Sequence, residues 1–311
     1  MIAFILAAGF GNRLKPITNY IPKALVPVCG ISLLERNLNL FFSCGIAKLA
    51  VNTHYLHKKI KRFQEKSTIP FTIFHEKERI RGTGGALHFA RKFLSRDEIF
   101  CVANSDIVST ADIEKLTGQF LESSSICSLV AAPARKDGTI FLDYNSKEYM
   151  GAISEKPESS QCMSVDFTGL AFYRKEILNY ITKEDFSILP VWKRVQKHKN
   201  SVKVILDDSI LWKDTGTLSE LAQIHFDVID KKFQLSIPEN LYIDHISKIA
   251  FPRGSLIPKS GNIGMYSWVE TDIMSEKTRI KNSVIYPGAD ITQAGLIENK
   301  IVTKWGEIAF E

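Results

Sequence analysis

The segment Leu6-Ala7-Ala8-Gly9-Phe10-Gly11-Asn12-Arg13-Leu14-Lys15-Pro16, closing at Ile21-Pro22-Lys23-Ala24-Leu25, constrains this chain more than any other stretch. The apolar run before it, Ile2 to Leu6, reads as a buried strand. The strand empties into small residues, two glycines, an arginine and a lysine. Small residues let backbone N–H groups approach a phosphate closely, and Arg13 and Lys23 add fixed positive charge. The spacing matches neither G-x-x-x-x-G-K-[ST] nor G-x-G-x-x-G, so a phosphate-binding role has to rest on the longer pattern.

The chain beyond the loop alternates. Helical spacing over 33–44 (Leu34, Leu38, Phe41, Phe42) is followed by a strand at 48–52, a helix at 56–64 and a strand at 71–74. Charged residues 76–81 precede Gly82-Thr83-Gly84-Gly85, after which Ala86, Phe89, Ala90 and Phe93 mark a helix. The apolar strand 99–103 ends at Asn104-Ser105-Asp106. Such alternation implies right-handed crossovers and a parallel sheet, with ligands bound beyond the carboxyl ends of the strands. The opening loop and Asp106 both fall at that edge. From Ser125 the pattern becomes richer in β-structure, with strands at 128–132 and 167–173 and a hairpin at 139–143 and 150–154. A helix at 189–197, a strand at 202–206 and a helix reaching residue 232 complete this part. The expected fold is α/β, a Rossmann-like doubly wound, mostly parallel sheet.

Helical periodicity ends near Ile237-Pro238, which divides the chain into a first domain at 1–236 and a small C-terminal β domain at 237–311. Branched residues and glycines recur there about every six residues with slips in register. A short left-handed β-helix and an irregular β cap are both open readings.

Net charge is +6 with histidine neutral, and the cations are dispersed. That suits small anionic substrates and gives no basic stripe for nucleic acid. The densest basic run, His57 to Arg62, reads as a solvated helix face. Five cysteines form no C-x-x-C pair, and the histidines lack zinc-ligand spacing, so buried thiols in a reducing compartment are expected. The apolar N-terminus has no basic residue ahead of it to make a signal peptide, and no run approaches a membrane span. A cytoplasmic location, no membrane partner and a possible homo-oligomer are the expectations.

The pattern L-A-A-G-x-G-x-R-L-x-P-x-T followed by P-K-x-L resembles the opening loop of the sugar-1-phosphate nucleotidylyltransferases. Gly82-Thr83-Gly84-Gly85-Ala86 is similar to that family's G-T-x-G-A, Glu155-Lys156-Pro157 to its E-K-P, and Trp212-Lys213-Asp214-Thr215-Gly216-Thr217 to its W-x-D-x-G-T. The resemblance implies transfer from a nucleoside triphosphate to a sugar 1-phosphate with release of pyrophosphate. It implies Leu6, Ala8, Gly9, Gly11, Gly82 and Thr83 on the nucleotide, and Glu76 on a guanine edge. It implies Arg13, Lys23 and Asp106 in catalysis, and Asp106 and Asp214 on Mg²⁺, which needs few protein ligands when phosphate oxygens are present. Gly138, Glu155, Lys156, Thr168 and Gly169 fall to the sugar phosphate. Phe167 departs from the family, where a polar residue such as asparagine is frequent, and so leaves the sugar open. The segments 22–28, 51–55 and 82–85 are most similar to mannose-1-phosphate guanylyltransferases. A metal-dependent glycosyltransferase, a transferase acting on a non-sugar phosphate and a non-catalytic regulatory subunit are the competing readings.

Overall fold

The computed structural model describes residues 1–155, 157, 161–198, 201–255, 262–271, 275 and 277–310. It contains two compact units, one made of Met1–Gly9 and Arg36–Trp212, the other of Phe10–Glu35 and Lys213–Glu311. The sequence division at 236/237 marks where helical periodicity stops. The compact units are cut within the opening loop instead, because residues 10–35 cluster with the C-terminal part of the chain.

The first unit is built on β1 (Ile2–Leu6), β2 (Lys48–Thr53), β3 (Thr72–His75), β4 (Ile99–Asn104), β5 (Cys127–Pro133), β6 (Ile140–Asp143), β7 (Tyr149–Ala152), β8 (Cys162–Arg174) and β9 (Val202–Leu206). Among the described residues these form one sheet in the order β7-β6-β8-β4-β1-β2-β3, with β5 pairing β8 and β9 pairing β5. Strands β4, β1, β2 and β3 run parallel. Ile2, Ala3, Phe4 and Ile5 are fully buried, as strands covered on both faces require. Phe4, Val102, Leu87, Ala90, Tyr173 and Trp192 belong to one hydrophobic cluster.

The helices are α1 (Leu33–Phe42), α2 (His57–Lys66), α3 (Gly82–Leu94), α4 (Ile113–Glu122) and α5 (Leu189–Gln196). Two features go beyond the sequence reading. Helix α4 is present, started by Asp112, whose carboxylate accepts the Lys115 N–H at 2.9 Å. Strand β8 begins at Cys162, because its first four residues form an antiparallel ladder with β6. Its register shifts between Phe167 and Ala171, which bends the strand at Thr168-Gly169.

In the second unit, α6 (Leu218–Ile229) opens with a capping box. The Thr217 side chain accepts the Glu220 N–H, and Glu220 reaches back to the Thr217 N–H. Short parallel ladders then join Ile249 to Ser267, Ser267 to Ser283 and Val284 to Ile301. A second set joins Ile263 to Ile280 and Ile280 to Ile297. The chain therefore returns beside itself about every 17 residues, the spacing of three six-residue repeats per coil. Stacked parallel coils favour the β-helix reading over an irregular cap. Val269, Ile280, Ile285, Ile291, Ile297 and Val302 fill their interior. Antiparallel pairs, Leu241–Asp244 with Ile249–Pro252 and Lys300–Thr303 with Gly306–Ala309, close the two ends. Among the described residues no helix is long and apolar enough to cross a membrane.

Candidate functional site

The second unit carries the cations of the opening loop. Gly11 sits at φ +67°, and a Cβ there would meet Thr18 Cγ2 at 2.8 Å and Lys23 Cβ at 3.0 Å, so only glycine fits. The Thr18 hydroxyl donates to the Gly11 carbonyl at 2.8 Å and closes the loop. Arg13 follows in a single 3₁₀ turn, Asn12–Leu14, with its side chain 63% exposed. Lys23, by contrast, is 13% exposed at the start of the turn Lys23–Leu25. Both converge on Asp214. Arg13 Nη2 lies 3.6 Å from Oδ2 and Lys23 Nζ lies 3.7 Å from Oδ1. Pairs this long and partly solvated contribute about 0–1 kcal/mol each, so the cations are placed together yet able to move onto a phosphate, which binds them more strongly. Gly216 completes the cluster. A Cβ on it would fall 2.4 Å from Arg13 Nη2 and 2.7 Å from Asp214 Oδ1. Its absence is what lets the guanidinium lie there, a role that the D-x-G-T pattern alone did not reveal.

The first unit holds the other end of the loop. The Ala7 N–H donates to Asn52 Oδ1 at 2.7 Å, and the Ser105 N–H donates to the Leu6 carbonyl at 3.1 Å. Ala8 is 5% exposed. At Gly9 a Cβ would meet no protein atom within 4 Å, so the protein's own packing does not demand glycine there. Asp106 lies just past β4, half-buried.

Glu76, expected on a guanine edge, directly follows β3. It is fully buried, and both its oxygens are engaged by the protein, Oε1 by Asn52 Nδ2 at 2.8 Å and Oε2 by the Arg81 N–H at 2.7 Å. In this structure Glu76 therefore serves the protein's own hydrogen bonding. A relay runs from the Ala7 amide through Asn52 and Glu76 to the residue before α3, tying the opening loop to the Gly82 segment. Sequence reasoning missed Asn52, whose only signal was an amide ending an apolar strand. Beside the relay, the His57 and His75 rings stack with centroids 3.5 Å apart. Burial above all, then His75, Lys61 and Lys77, holds His57 below its ordinary range.

The glycines at the start of α3 also have a packing reason. A Cβ on Gly82 (φ +68°) would come 2.2 Å from the Phe186 carbonyl oxygen, and one on Gly84 would come 2.8 Å from the Asp185 and Ser187 oxygens. The Gly84 N–H already donates to the Phe186 carbonyl. Thr83, half-buried, lies between them. On the expected sugar side, Thr168 is 2% exposed and its hydroxyl donates to the Val130 carbonyl at 2.9 Å, which holds the β8 bend. Gly169 (φ +79°) lets that bend pass Asn104 and Ile107, and Gly138 (φ +73°) lets its loop approach Val165. The side chain of Glu155 and the whole of Lys156 lie outside the described residues.

The nucleotidyl transferase family model matches residues 2–231. The chain belongs to the nucleotidyl transferase family. The N-acetylmuramate alpha-1-phosphate uridylyltransferase of Caulobacter vibrioides is 28% identical over 209 residues, 62% of this chain and 84% of that protein. The mannose-1-phosphate guanyltransferase beta-A of Xenopus laevis is 28% identical over 197 residues, 60% of this chain and 54% of that one. A bifunctional sugar-1-phosphate nucleotidylyltransferase/acetyltransferase of Sulfurisphaera tokodaii is 30% identical over 187 residues, 60% of this chain and 44% of that protein. The match thus spans only about half the length of the latter two relatives. The solved structure of HddC from Yersinia pseudotuberculosis, complexed with GMP-PN, shares the fold at TM-score 0.59 and 21% identity, over 72% of this chain and 97% of that chain.

In this nucleotidyl transferase, the donor set suits a magnesium ion that brings its own phosphate ligands. Among the described residues no three His, Cys, Asp or Glu side chains group into a site that would chelate a metal unaided. Asp214 is one-third exposed and faces two cations, a setting that repels a bare dication and accepts one once a polyphosphate has engaged Arg13 and Lys23.

Proposed function

We propose that this chain joins a nucleoside triphosphate to a sugar 1-phosphate. A phosphate oxygen of the sugar attacks the α-phosphorus in line, the new P–O bond forms, and pyrophosphate leaves. The observation that carries the reading is the convergence of Arg13 and Lys23 on Asp214, two cations around one carboxylate on the family's opening loop. The nucleophile is ionised at neutral pH, so no general base is required and catalysis reduces to positioning and charge neutralisation. Arg13 and Lys23 hold the triphosphate and stabilise the departing pyrophosphate. Asp106 and Asp214 would hold Mg²⁺, which would supply charge neutralisation to the phosphates. Lys156 meets the incoming phosphate, and Gly9 leaves room for a phosphate to approach.

GTP with a mannose-like sugar 1-phosphate is the preferred pair, supported by the likeness of 22–28 and 82–85 to guanylyltransferases. Both Glu76 oxygens bond to the protein, so this preference does not rest on that carboxylate. A second reading, UTP with an amino-sugar 1-phosphate, is supported by the uridylyltransferase relative that this chain matches over 84% of its length. The four NTPs, each with a panel of sugar 1-phosphates and Mg²⁺, are assayed for pyrophosphate release. GTP-dependent release with mannose 1-phosphate supports the first pair and UTP-dependent release the second. Consumption of a nucleotide sugar without pyrophosphate overturns both in favour of glycosyl transfer.

A further inference from the structure

Lys23 lies in a segment gripped on either side by the C-terminal part of its own unit. Before it, the Tyr20 ring stacks on Trp305, centroids 4.8 Å apart and planes within 4°. After it comes a tight hairpin, Pro27–Val28 against Ile31–Ser32, turned by Cys29 (φ +49°) and Gly30 (φ +79°). A left-handed conformation is unfavourable for a residue with a side chain and persists where the surroundings hold it. Here the Cys29 N–H donates to Nε2 of the fully buried His225, whose Nδ1 donates to the Leu221 carbonyl. The Tyr286 hydroxyl donates to the Pro27 carbonyl at 2.7 Å. Tyr286 is 5% exposed, and burial pushes its phenol well above the usual range, so the O–H remains a donor throughout the accessible pH range. Gly30 is forced by the same junction, since a Cβ would lie 2.7 Å from the ring of Pro238.

Residues 237–311 lie outside the matched family model, which ends at 231, so the model gives them no role in the reaction. We propose that this C-terminal β region is a buttress for the Lys23 segment, with Tyr286 as a positioning residue that fixes where the Lys23 ammonium stands. Two contacts from this region, Trp305 to Tyr20 and Tyr286 to Pro27, bracket Lys23 from two sides, and His225 of α6 holds Cys29 beside them. An ammonium on a four-carbon stem loses transition-state contact if its backbone shifts by about 1 Å, an effect worth up to 10²-fold. The catalytic part of the proposal rests on the nucleotidyl-transfer reading above; the structural part does not.

The test uses the full-length chain and Tyr286→Phe, which keeps the ring and removes the donor. Amide hydrogen exchange over residues 22–30 is expected to quicken about 5- to 10-fold, the scale of one lost hydrogen bond. Turnover is expected to fall by a similar factor with KM for the sugar phosphate unchanged. The discriminating readout is a cycle with Lys23→Ala. A positioning role acting through Lys23 makes Tyr286→Phe silent on kcat once the lysine is gone, although both variants still melt lower. Trp305→Ala, at a half-buried ring, serves as a second variant should the buried substitution fail to fold. Unchanged exchange over 22–30 in whichever variants fold overturns the buttress. An equal fall in kcat with and without Lys23 overturns the positioning role. A wild-type chain that releases no pyrophosphate with any substrate pair overturns the nucleotidyl-transfer reading, while the exchange measurement still decides the buttress.

Discussion

Replacing Glu76 by glutamine separates a base-reading carboxylate from a structural one. The carboxylate is fully buried and accepts two N–H donors, from Asn52 Nδ2 at 2.8 Å and Arg81 N at 2.7 Å. Glutamine has nearly the same volume, so no cavity forms and the change is purely one of hydrogen bonding. Its single oxygen keeps one bond at neutral strength, and its NH₂ turns toward the other N–H, leaving that donor unsatisfied. Charge-assisted bonds contribute about 1.5–3 kcal/mol, neutral ones about 1, and a buried unsatisfied donor costs about 1–3, so the net loss is roughly 3 kcal/mol. For a unit of about 190 residues, each kcal/mol moves the melting midpoint by about 2–4 °C, giving a fall of roughly 6–12 °C. The assay is a thermal melt of wild type and Glu76→Gln, repeated with each NTP and Mg²⁺. The melt is expected to fall while the order of preference among the NTPs stays the same, because both carboxylate oxygens are bonded to the protein. An unmoved melt together with a changed nucleotide order would refute the reasoning and return Glu76 to the base edge.

Lys23→Ala is expected to retain the fold and lose roughly 10²–10⁴ in kcat/KM, measured by pyrophosphate release, since it deletes a charge aimed at the reacting phosphates. Gly216→Ala is expected to leave the melt nearly unchanged and to lower activity. Its methyl displaces the end of the Arg13 side chain rather than the backbone, and wild-type pyrophosphate release with wild-type KM for the triphosphate would contradict that. Asp230 is pulled down to about 2 by Lys248 and then Lys232. A depressed carboxyl contributes stability that is present above its unfolded value of about 4 and lost as pH falls toward 2. Melts of Asp230→Asn are therefore expected to lie below wild type at pH 7 and to converge on it near pH 2; parallel curves would count against the pairing.

The parallel strands were legible because strands covered on both faces are continuous apolar runs, and Ile2–Leu6 and Ile99–Asn104 are of that kind. The first residues of β8 were not, because Cys162-Met163-Ser164 carry no alternation and become a strand only by pairing with β6. Helix α4 was hidden by its mixed composition and announced only by a cap at Asp112. The cations of the site were legible from the opening pattern. The local roles of Glu76, Thr168 and Gly216 were not, since each depends on a partner distant in sequence: Asn52, Val130 and Arg13 respectively.

By itself the sequence determined the fold class, the family and the loop that carries Arg13 and Lys23, because apolar periodicity and a dense local motif are properties of contiguous residues. Tertiary structure alone decided which of these polar groups are hydrogen-bonded within the protein. Glu76 and Thr168, written like site residues, have their hydrogen bonds taken by the protein. Asn52, Gly216 and Tyr286 are set among the loop's neighbours by contacts spanning 45, 203 and 259 residues. A hydrogen bond depends on distance in space, and no reading of neighbours along a chain supplies that distance.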